Sequence, residues 1–330
     1  GLYVLFGRPR SDWRGAAAFG AYSLASLTAG SGSRPGDVLL TYSGTSEFFE
    51  DVAVAGDVDL DGSAEILVGA SKAFHLIYGG SEWQGGQGQF VNHPRRVQLM
   101  SVAEGGQGIG LSVSGAGDFN GDGRADLAMA DLALNRVVIL FGQPRGIGGT
   151  LFPGAPFSTA ALRGYDANNR RVAAIYTDPV RGRNGLGSMT RGVGDANGDG
   201  LDDVLVSYEL DGTTDAARIN DGRAYLLYGN RGPAPTTDIQ IDSRPVSALF
   251  ASDVGGMFGY GLGPAGDENG DGLADMVLFS TSYAALKRGW PEPNPAGALT
   301  FPSAANQLVL NAYAETAGSV GDLDGDGIGD

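Results

Sequence analysis

Short apolar runs recur along the chain, and each is bounded by glycine or by polar residues. Four of them follow the same kind of acidic segment, at residues 66–68, 127–129, 204–206 and 276–278. Runs of this length between turn residues indicate buried β-strands, because a helix needs a periodic stretch of about 10 to 12 residues. The pattern therefore predicts an all-β protein with many short strands.

These strands belong to a repeated unit. A second type of strand ends in an aromatic residue and glycine, at residues 2–7, 74–79, 137–142 and 224–229, and we place a degraded fifth copy near 298–301. A third type comes before the acidic segment, as in residues 49–56 and 108–117. The order strand, acidic loop, strand, turn and strand, with a variable outer segment, predicts one four-stranded sheet per unit. That unit is the blade of a β-propeller.

The spacing of the units leaves extra length in two places. We assign it mainly to residues 143–190 and 207–222, which are polar and rich in glycine. Segments of this composition are expected to form exposed loops.

The acidic segments share a nine-residue pattern and begin at residues 57, 118, 195, 267 and 322. Position 1 is Asp, position 3 is Asp or Asn, position 5 is Asp, position 6 is Gly and position 9 is acidic. Calcium binds six to eight oxygen ligands, so side chains at positions 1, 3, 5 and 9 and the carbonyl of position 7 suit it. The predicted ligands are Asp57, Asp59, Asp61, Ser63 and Glu65; Asp118, Asn120, Asp122, Arg124 and Asp126; Asp195, Asn197, Asp199, Leu201 and Asp203; Asp267, Asn269, Asp271, Leu273 and Asp275; and Asp322, Asp324, Asp326, Ile328 and Asp330.

Acidic segments of this kind have two other interpretations. An EF-hand needs Glu at position 12 followed by a helix, but position 12 is Val68, Met129, Val206 or Leu278 and lies in an apolar run. A single Asp/Asn/Gly cluster is often an ordinary turn. Five matching copies favour metal loops, so we predict up to five Ca²⁺ sites.

The composition of the chain argues against several classes of function. The net charge is −16, and nearly half of the 38 acidic residues occupy predicted ligand positions. This balance argues against a nucleic-acid partner. No apolar stretch approaches the roughly 20 residues of a membrane helix, so membrane insertion is not expected. The chain has no cysteine, only two histidines, no nucleophile elbow and no P-loop, which predicts a non-catalytic protein.

The acidic loops, the strand Tyr3-Val4-Leu5-Phe6-Gly7 and the strand before each loop resemble the FG-GAP repeat of integrin α-subunit propellers. The resemblance extends over nearly the whole chain. It implies a seven-bladed ring in full, with calcium in the hairpin loops at the positions named above. The few integrin-specific features point to a bacterial relative. Residues 1–330 are then one propeller domain, either an incomplete part of a larger ring or a smaller ring closed by its own termini.

This resemblance predicts a calcium-binding adhesion or recognition module that is secreted or displayed on the cell surface, or located in the periplasm. Its partner would be a protein or a glycan, and the full-length protein is expected to carry other domains. One alternative is a carbohydrate-binding propeller that uses Trp290, which we place outside the repeat pattern. Arg181 and Arg183 form another candidate contact with a ligand. A further alternative is the accessory propeller of a larger secreted hydrolase or lyase.

Overall fold

The apolar runs form strands in a computed structural model of the chain. It describes residues 2–4, 38–41, 49–70, 73–80, 86–89, 96–100, 109–144, 173–177, 185–208, 222–232, 237–241, 247–252, 259–281, 283–291, 299–301 and 307–310. Among these residues there is one 3-10 helix, Leu132–Leu134, and no α-helix, which confirms the all-β prediction. None of the described elements is a helix that could cross a membrane.

The strands, numbered in chain order, are β1 (Leu2–Val4), β2 (Val38–Thr41), β3 (Phe49–Gly56), β4 (Glu65–Ala70), β5 (Ala73–Ile77), β6 (Gly86–Gln89), β7 (Arg96–Met100), β8 (Ile109–Gly117), β9 (Asp126–Asp131), β10 (Arg136–Leu140), β11 (Ala173–Thr177), β12 (Leu186–Gly194), β13 (Asp203–Tyr208), β14 (Arg223–Leu227), β15 (Ile239–Gln240), β16 (Ser247–Ser252), β17 (Gly261–Gly266), β18 (Asp275–Phe279), β19 (Ala284–Lys287), β20 (Leu299–Phe301) and β21 (Gln307–Leu310).

Four sheets repeat the same antiparallel arrangement of four strands. Their strand orders are β3-β4-β5-β7, β8-β9-β10-β11, β12-β13-β14-β16 and β17-β18-β19-β21. In each sheet the predicted acidic loop joins the first strand to the second. The predicted unit of strand, loop, strand, turn and strand is therefore confirmed in all four.

The sheets contact one another through their first strands, in the order β3, β8, β12 and β17. Glycine makes this approach possible, since a Cβ atom on Gly115 of β8 would lie 2.6 Å from the carbonyl oxygen of Val54 on β3. A Cβ on Gly192 of β12 would overlap the carbonyl oxygen of Gly115 in the same way. Two consecutive interfaces between sheets thus use the same glycine position.

Side chains also connect these first strands. Arg191 Nη1 on β12 donates to Asp51 Oδ2 on β3 at 3.0 Å and to Ser112 Oγ on β8 at 3.2 Å. The Ser112 hydroxyl donates to the same Asp51 oxygen at 3.3 Å. Residues from three consecutive sheets therefore meet at one point, as expected where first strands converge.

Both faces of the second sheet are buried, which explains its continuous apolar runs. Leu127 and Met129 pack in the core shared with the first sheet, whereas Ala128 between them packs in the core shared with the third. Along β10, Val138 faces the first of these cores and Val137 the second. Successive side chains of a strand point to opposite faces, so a sheet between two neighbours needs apolar residues at every position.

Three short strands connect the first, third and fourth sheets to the sheet before each of them, which for the first sheet is the antiparallel pair β1-β2. The strands β6, β15 and β20 each lie in the segment between the third and fourth strands of a sheet. They pair in parallel with the outer strand of the preceding sheet, β2, β11 and β16 respectively. The sequence predicts only variable outer connections in these segments, and the structure shows that their short strands link neighbouring sheets.

The prediction for the fifth aromatic-glycine strand was wrong. Residues 299–301 form β20, which pairs with β16 of the preceding sheet. The third strand of the fourth sheet is β19, which pairs with β18 and is followed by Arg288 and Gly289. The glycine is the required residue, since a Cβ on Gly289 would lie 2.6 Å from Leu273 Cβ and 2.8 Å from the carbonyl oxygen of Ala274. The aromatic residue before it is replaceable.

The prediction that residues 143–190 form exposed loops was wrong in part. The segment contains β11, the outer strand of the second sheet, whose residues 173–176 are buried. It also contains the beginning of β12. Burial by a neighbouring sheet depends on the tertiary fold, and local composition does not reveal it.

A buried ion pair near the end of the β9–β10 hairpin is expected to be essential for stability. Arg136 donates two hydrogen bonds to Asp131 Oδ2, at 3.0 and 2.7 Å, and the two side chains are 3% and 1% exposed. Replacing one partner leaves the other charge buried, so Asp131→Ala should lower the free energy of unfolding by about 3–5 kcal/mol in chemical denaturation. Glu268→Ala, which removes an exposed pair with Arg288, should cost less than about 1 kcal/mol. Equal losses for the two variants would contradict this assignment.

Candidate metal centres

The four described acidic loops occupy equivalent places in the four sheets. We name them loop 1 (57–65), loop 2 (118–126), loop 3 (195–203) and loop 4 (267–275). Each begins directly after the first strand and ends on the first residue of the second strand. Loop 5 (322–330), with its predicted ligands, lies outside the described residues.

The position 1 carboxylate organises each loop. In loop 1, Asp57 Oδ1 accepts the N–H of Asp61 at 3.1 Å and Oδ2 accepts the N–H of Gly62 at 2.9 Å. The same two bonds form around Asp118, Asp195 and Asp267. The loop is therefore curled around this side chain.

Positions 3 and 5 add one bond each. Asp59 Oδ1 accepts the N–H of Asp61 at 3.1 Å, and Asp61 Oδ1 accepts the N–H of Ser63 at 2.9 Å. The corresponding pairs in loops 2, 3 and 4 are 2.8–3.0 Å long. These bonds hold the side chains of positions 1, 3 and 5 against the main chain of positions 5 to 7.

The donor set of loop 1 fits a hard cation. One carboxylate oxygen from each of Asp57, Asp59 and Asp61 lies within 4.8 Å of the other two. Calcium–oxygen distances are about 2.3–2.6 Å, so oxygens on opposite sides of one ion are about 5 Å apart. These three predicted ligands are therefore close enough to share an ion.

Glycine at position 6 is required by its backbone conformation. Gly62, Gly123, Gly200 and Gly272 have φ between +82° and +87°. At Gly62, Gly123 and Gly272 there is open space around the position of a Cβ atom, so left-handed φ is the only demand.

Loop 1 differs from the others at position 4. Loops 2, 3 and 4 have glycine there with φ between +72° and +78°, at Gly121, Gly198 and Gly270. Loop 1 has Leu60, which adopts φ +61° and is 53% exposed. A branched side chain in this conformation carries a cost of about 1–2 kcal/mol.

The acid at position 9 has a second role that the sequence did not reveal. Glu65 accepts N–H groups from Val58 at 2.8 Å and from Gly79, the glycine after the third strand, at 3.3 Å. In the other three loops, position 9 likewise accepts one N–H from its own loop and one from the glycine after the third strand, through Asp126, Asp203 and Asp275. This carboxylate therefore attaches the loop to the aromatic-glycine motif. A metal-ligand role for it stays a prediction.

Burial perturbs the ionisation of these acids. Desolvation raises the pKa of Glu65 to about 7 and that of Asp203 to about 8, and the charges of the other carboxylates in the same loop make smaller contributions in the same direction. The backbone hydrogen bonds oppose the shift in both cases. The pKa values of Asp126 and Asp275 are raised for the same reason.

Neighbouring loops are hydrogen-bonded to each other. The N–H of position 8 donates to the position 1 carbonyl of the preceding loop, from Ala125 to Asp57 at 3.1 Å and from Ala274 to Asp195 at 2.8 Å. Asp202 makes the equivalent bond to Asp118 at 3.3 Å. The four loops therefore form one hydrogen-bonded row.

Trp290 lies inside the repeat, which corrects its predicted place. It follows Gly289 as Asn230 follows Gly229, and both donate an N–H to a position 2 carbonyl of the preceding loop at 2.8 Å. Its side chain packs against a third core, which lies between the third and fourth sheets and includes Leu226 and Leu278, and Lys287 Nζ lies 4.4 Å from its ring centroid. Arg181 and Arg183 lie outside the described residues.

Comparison with known proteins gives distant, partial similarities. Integrin alpha-PS2 of Drosophila melanogaster is 29% identical over 223 residues, covering 64% of the chain and 14% of that protein. Integrin alpha-IIb of Mus musculus is 35% identical over 88 residues, covering 26% of the chain and 8% of that protein. Phosphatidylinositol-glycan-specific phospholipase D of Bos taurus is 32% identical over 93 residues, 28% of the chain and 11% of that protein. No family model matches the chain. The chain is thus distantly similar to integrin alpha subunits and spans a small part of each relative.

Leu60→Gly is expected to stabilise loop 1. Glycine adopts the left-handed conformation without a steric cost, and the exposed leucine side chain loses little burial, so the free energy of unfolding should rise by about 1 kcal/mol. Urea denaturation measures the change. The control is Leu273→Gly at position 7 of loop 4, which removes a partly buried side chain and should destabilise. A loss of stability in Leu60→Gly would contradict the strain.

The metal-free protein should lose stability as pH rises. The folded-state pKa values of Glu65 and Asp203, about 7 and 8, exceed their ordinary values of 4.5 and 3.8. Between these limits the folded state binds more protons than the unfolded state, so stability decreases with increasing pH. We expect the urea midpoint in EDTA to fall between about pH 5 and pH 8, and the fall to be smaller in Asp203→Asn. A midpoint that rises over this range would refute the assignment.

Proposed function

We propose that the chain is a calcium-dependent adhesion or recognition propeller without catalytic activity of its own. The observation that carries this proposal is the cluster of three carboxylates within 4.8 Å in loop 1, on a hydrogen-bonded loop that recurs in all four repeated sheets. Carboxylates held this close repel one another, by about 1 to 4 kcal/mol per pair at 4 Å depending on the dielectric. A divalent cation converts that repulsion into binding.

The four sheets would be consecutive blades of a ring. The sequential contacts between first strands and the glycines that allow them support this arrangement. Similarity to integrin alpha subunits supports both the propeller and the adhesion role, with an unidentified protein or glycan as partner. We include in the same proposal a seven-bladed ring in the full-length protein and a bacterial origin.

An extracellular, surface or periplasmic location follows from the proposed ion. Extracellular modules bind calcium with dissociation constants of about 0.1–1 mM, which cytosolic calcium does not fill. At about 1 mM calcium and a constant near 0.1 mM, each site adds about 1.4 kcal/mol of stability. Several such sites match the net stability of a typical domain, about 5–15 kcal/mol.

A second candidate function is an accessory module in a larger secreted hydrolase. It is favoured by the similarity of a segment to phosphatidylinositol-glycan-specific phospholipase D, of which the chain matches 11%. The carbohydrate-binding alternative has less support, because Trp290 packs on the third core and Lys287 lies over its ring. A catalytic domain in the full-length protein would distinguish the accessory role from adhesion.

Calcium titration followed by thermal unfolding tests the main proposal. Adding 1 mM calcium after EDTA treatment should raise the free energy of unfolding by about 1.4 kcal/mol per filled site. Asp61→Asn in loop 1 should remove one such increment, because it weakens a position 5 ligand. Glu50→Gln, an exposed acid on β3 outside the loops, should keep the full increment. A melting temperature that chelator and calcium leave unchanged would rule out the calcium-dependent module.

A further inference from the structure

Loop 3 differs from the other described loops at position 8. That position is Ala64, Ala125 or Ala274 in loops 1, 2 and 4 but Asp202 in loop 3. Asp202 makes the main-chain hydrogen bond that position 8 also makes in loops 2 and 4. It makes a second hydrogen bond through its side chain, in which the N–H of Asp118 donates to Asp202 Oδ2 at 2.6 Å. Asp202 therefore holds the main chain of Asp118 through both its N–H and its carbonyl group.

Space for the Asp202 carboxylate exists because Gly117 precedes loop 2. Gly117 has φ +61°, and a Cβ atom there would overlap the carboxylate of Asp202. Gly194 faces Ala274 in the same way, with 3.1 Å from its Cβ position to the Ala274 Cβ. A glycine therefore occupies this place both between loops 2 and 3 and between loops 3 and 4. The side-chain hydrogen bond of Asp202, in contrast, joins loops 2 and 3.

Both ends of this contact are parts of proposed calcium sites. Asp118 is position 1 of loop 2, and its carboxylate accepts the N–H groups of Asp122 and Gly123 at 2.9 Å each. Asp202 lies between Leu201 and Asp203, at positions 7 and 9 of loop 3. Calcium bound at positions 7 and 9 of loop 3 would hold the main chain on both sides of Asp202. Because Asp202 is hydrogen-bonded to Asp118, this would also hold the residue that organises loop 2.

We propose that loops 2 and 3 bind calcium with positive coupling, and that Asp202 is the positioning residue that couples them. The inference rests on the proposed function. Ordering one loop reduces the conformational entropy that the other must lose, which makes the second binding event stronger. Repulsion between the two ions opposes this effect, and salt weakens that repulsion by screening.

The backbone amides at position 7 allow loops 3 and 4 to be observed separately. Leu201 and Leu273 each donate an N–H to the position 5 carboxylate of their own loop, so their amide resonances in NMR report calcium binding to that loop. Asp122→Asn weakens loop 2 and, in the wild-type background, should raise the calcium midpoint at Leu201 about fivefold, at the low end of typical coupling between sites. The midpoint at Leu273 should stay unchanged.

The same mutation in an Asp202→Ala background completes a double-mutant cycle. There, Asp122→Asn should leave the midpoint at Leu201 unchanged. Alanine is the residue that the other loops carry at position 8, so this variant is expected to fold, which thermal unfolding in EDTA verifies. If it fails to fold, Asp202→Asn takes its place; a smaller shift than in wild type is then expected, and an undiminished shift overturns the proposal.

A matched pair of loops provides the control. Asp199→Asn weakens loop 3 and is read at Leu273, across the interface where Ala274 makes one bond only. Its shift should be smaller than the shift of Leu201 in Asp122→Asn, and an equal or larger one overturns the role of Asp202. No shift at Leu201 in the wild-type background also overturns it. If calcium moves neither resonance in wild type, the proposed calcium function fails instead.

Discussion

A buried carboxylate at the first residue of each second strand holds the repeat together. Glu65, Asp126, Asp203 and Asp275 are each 0% exposed. Burying an ionised carboxylate is costly unless hydrogen bonds compensate, and in each of the four repeated sheets two backbone N–H groups offset part of that cost. One donor belongs to the acidic loop and the other to the glycine after the third strand. Loop and sheet therefore depend on the same side chain.

The glycine that supplies the second donor also controls how sheets meet. A Cβ on Gly142 would lie 2.8 Å from Arg124 Cβ in its own loop and 2.8 Å from the carbonyl oxygen of Val58 in the preceding loop. Gly229 and Gly289 have equivalent contacts. A side chain at this point would push the two loops apart. The glycine is therefore needed both for the contact within its own sheet and for the packing of that sheet on the preceding one. A change in the conformation of one loop should therefore affect the neighbouring loop.

This organisation gives the proposed ions a mechanical role. Three acids already point to one centre in loop 1, and a cation there would offset both their mutual repulsion and part of the cost of burying position 9. Loops joined in a row would then fix the sheets relative to each other. A rigid scaffold of this kind suits a recognition protein, because binding residues on loops are positioned by the framework beneath them.

The acidic loops, their glycines and the strands that flank them can be predicted from the sequence, because these features depend on residues a few positions apart. Asp57, Asp59 and Asp61 converge through bonds within one loop, and the spacing alone predicts this. The second role of Glu65 becomes visible in the packed sheet, because its partner Gly79 is 14 residues away. The same holds for Trp290 inside the repeat, for β20 on the preceding sheet and for Asp202 on Asp118. Those contacts join residues from different strands or sheets, and their geometry exists only once the sheets have packed.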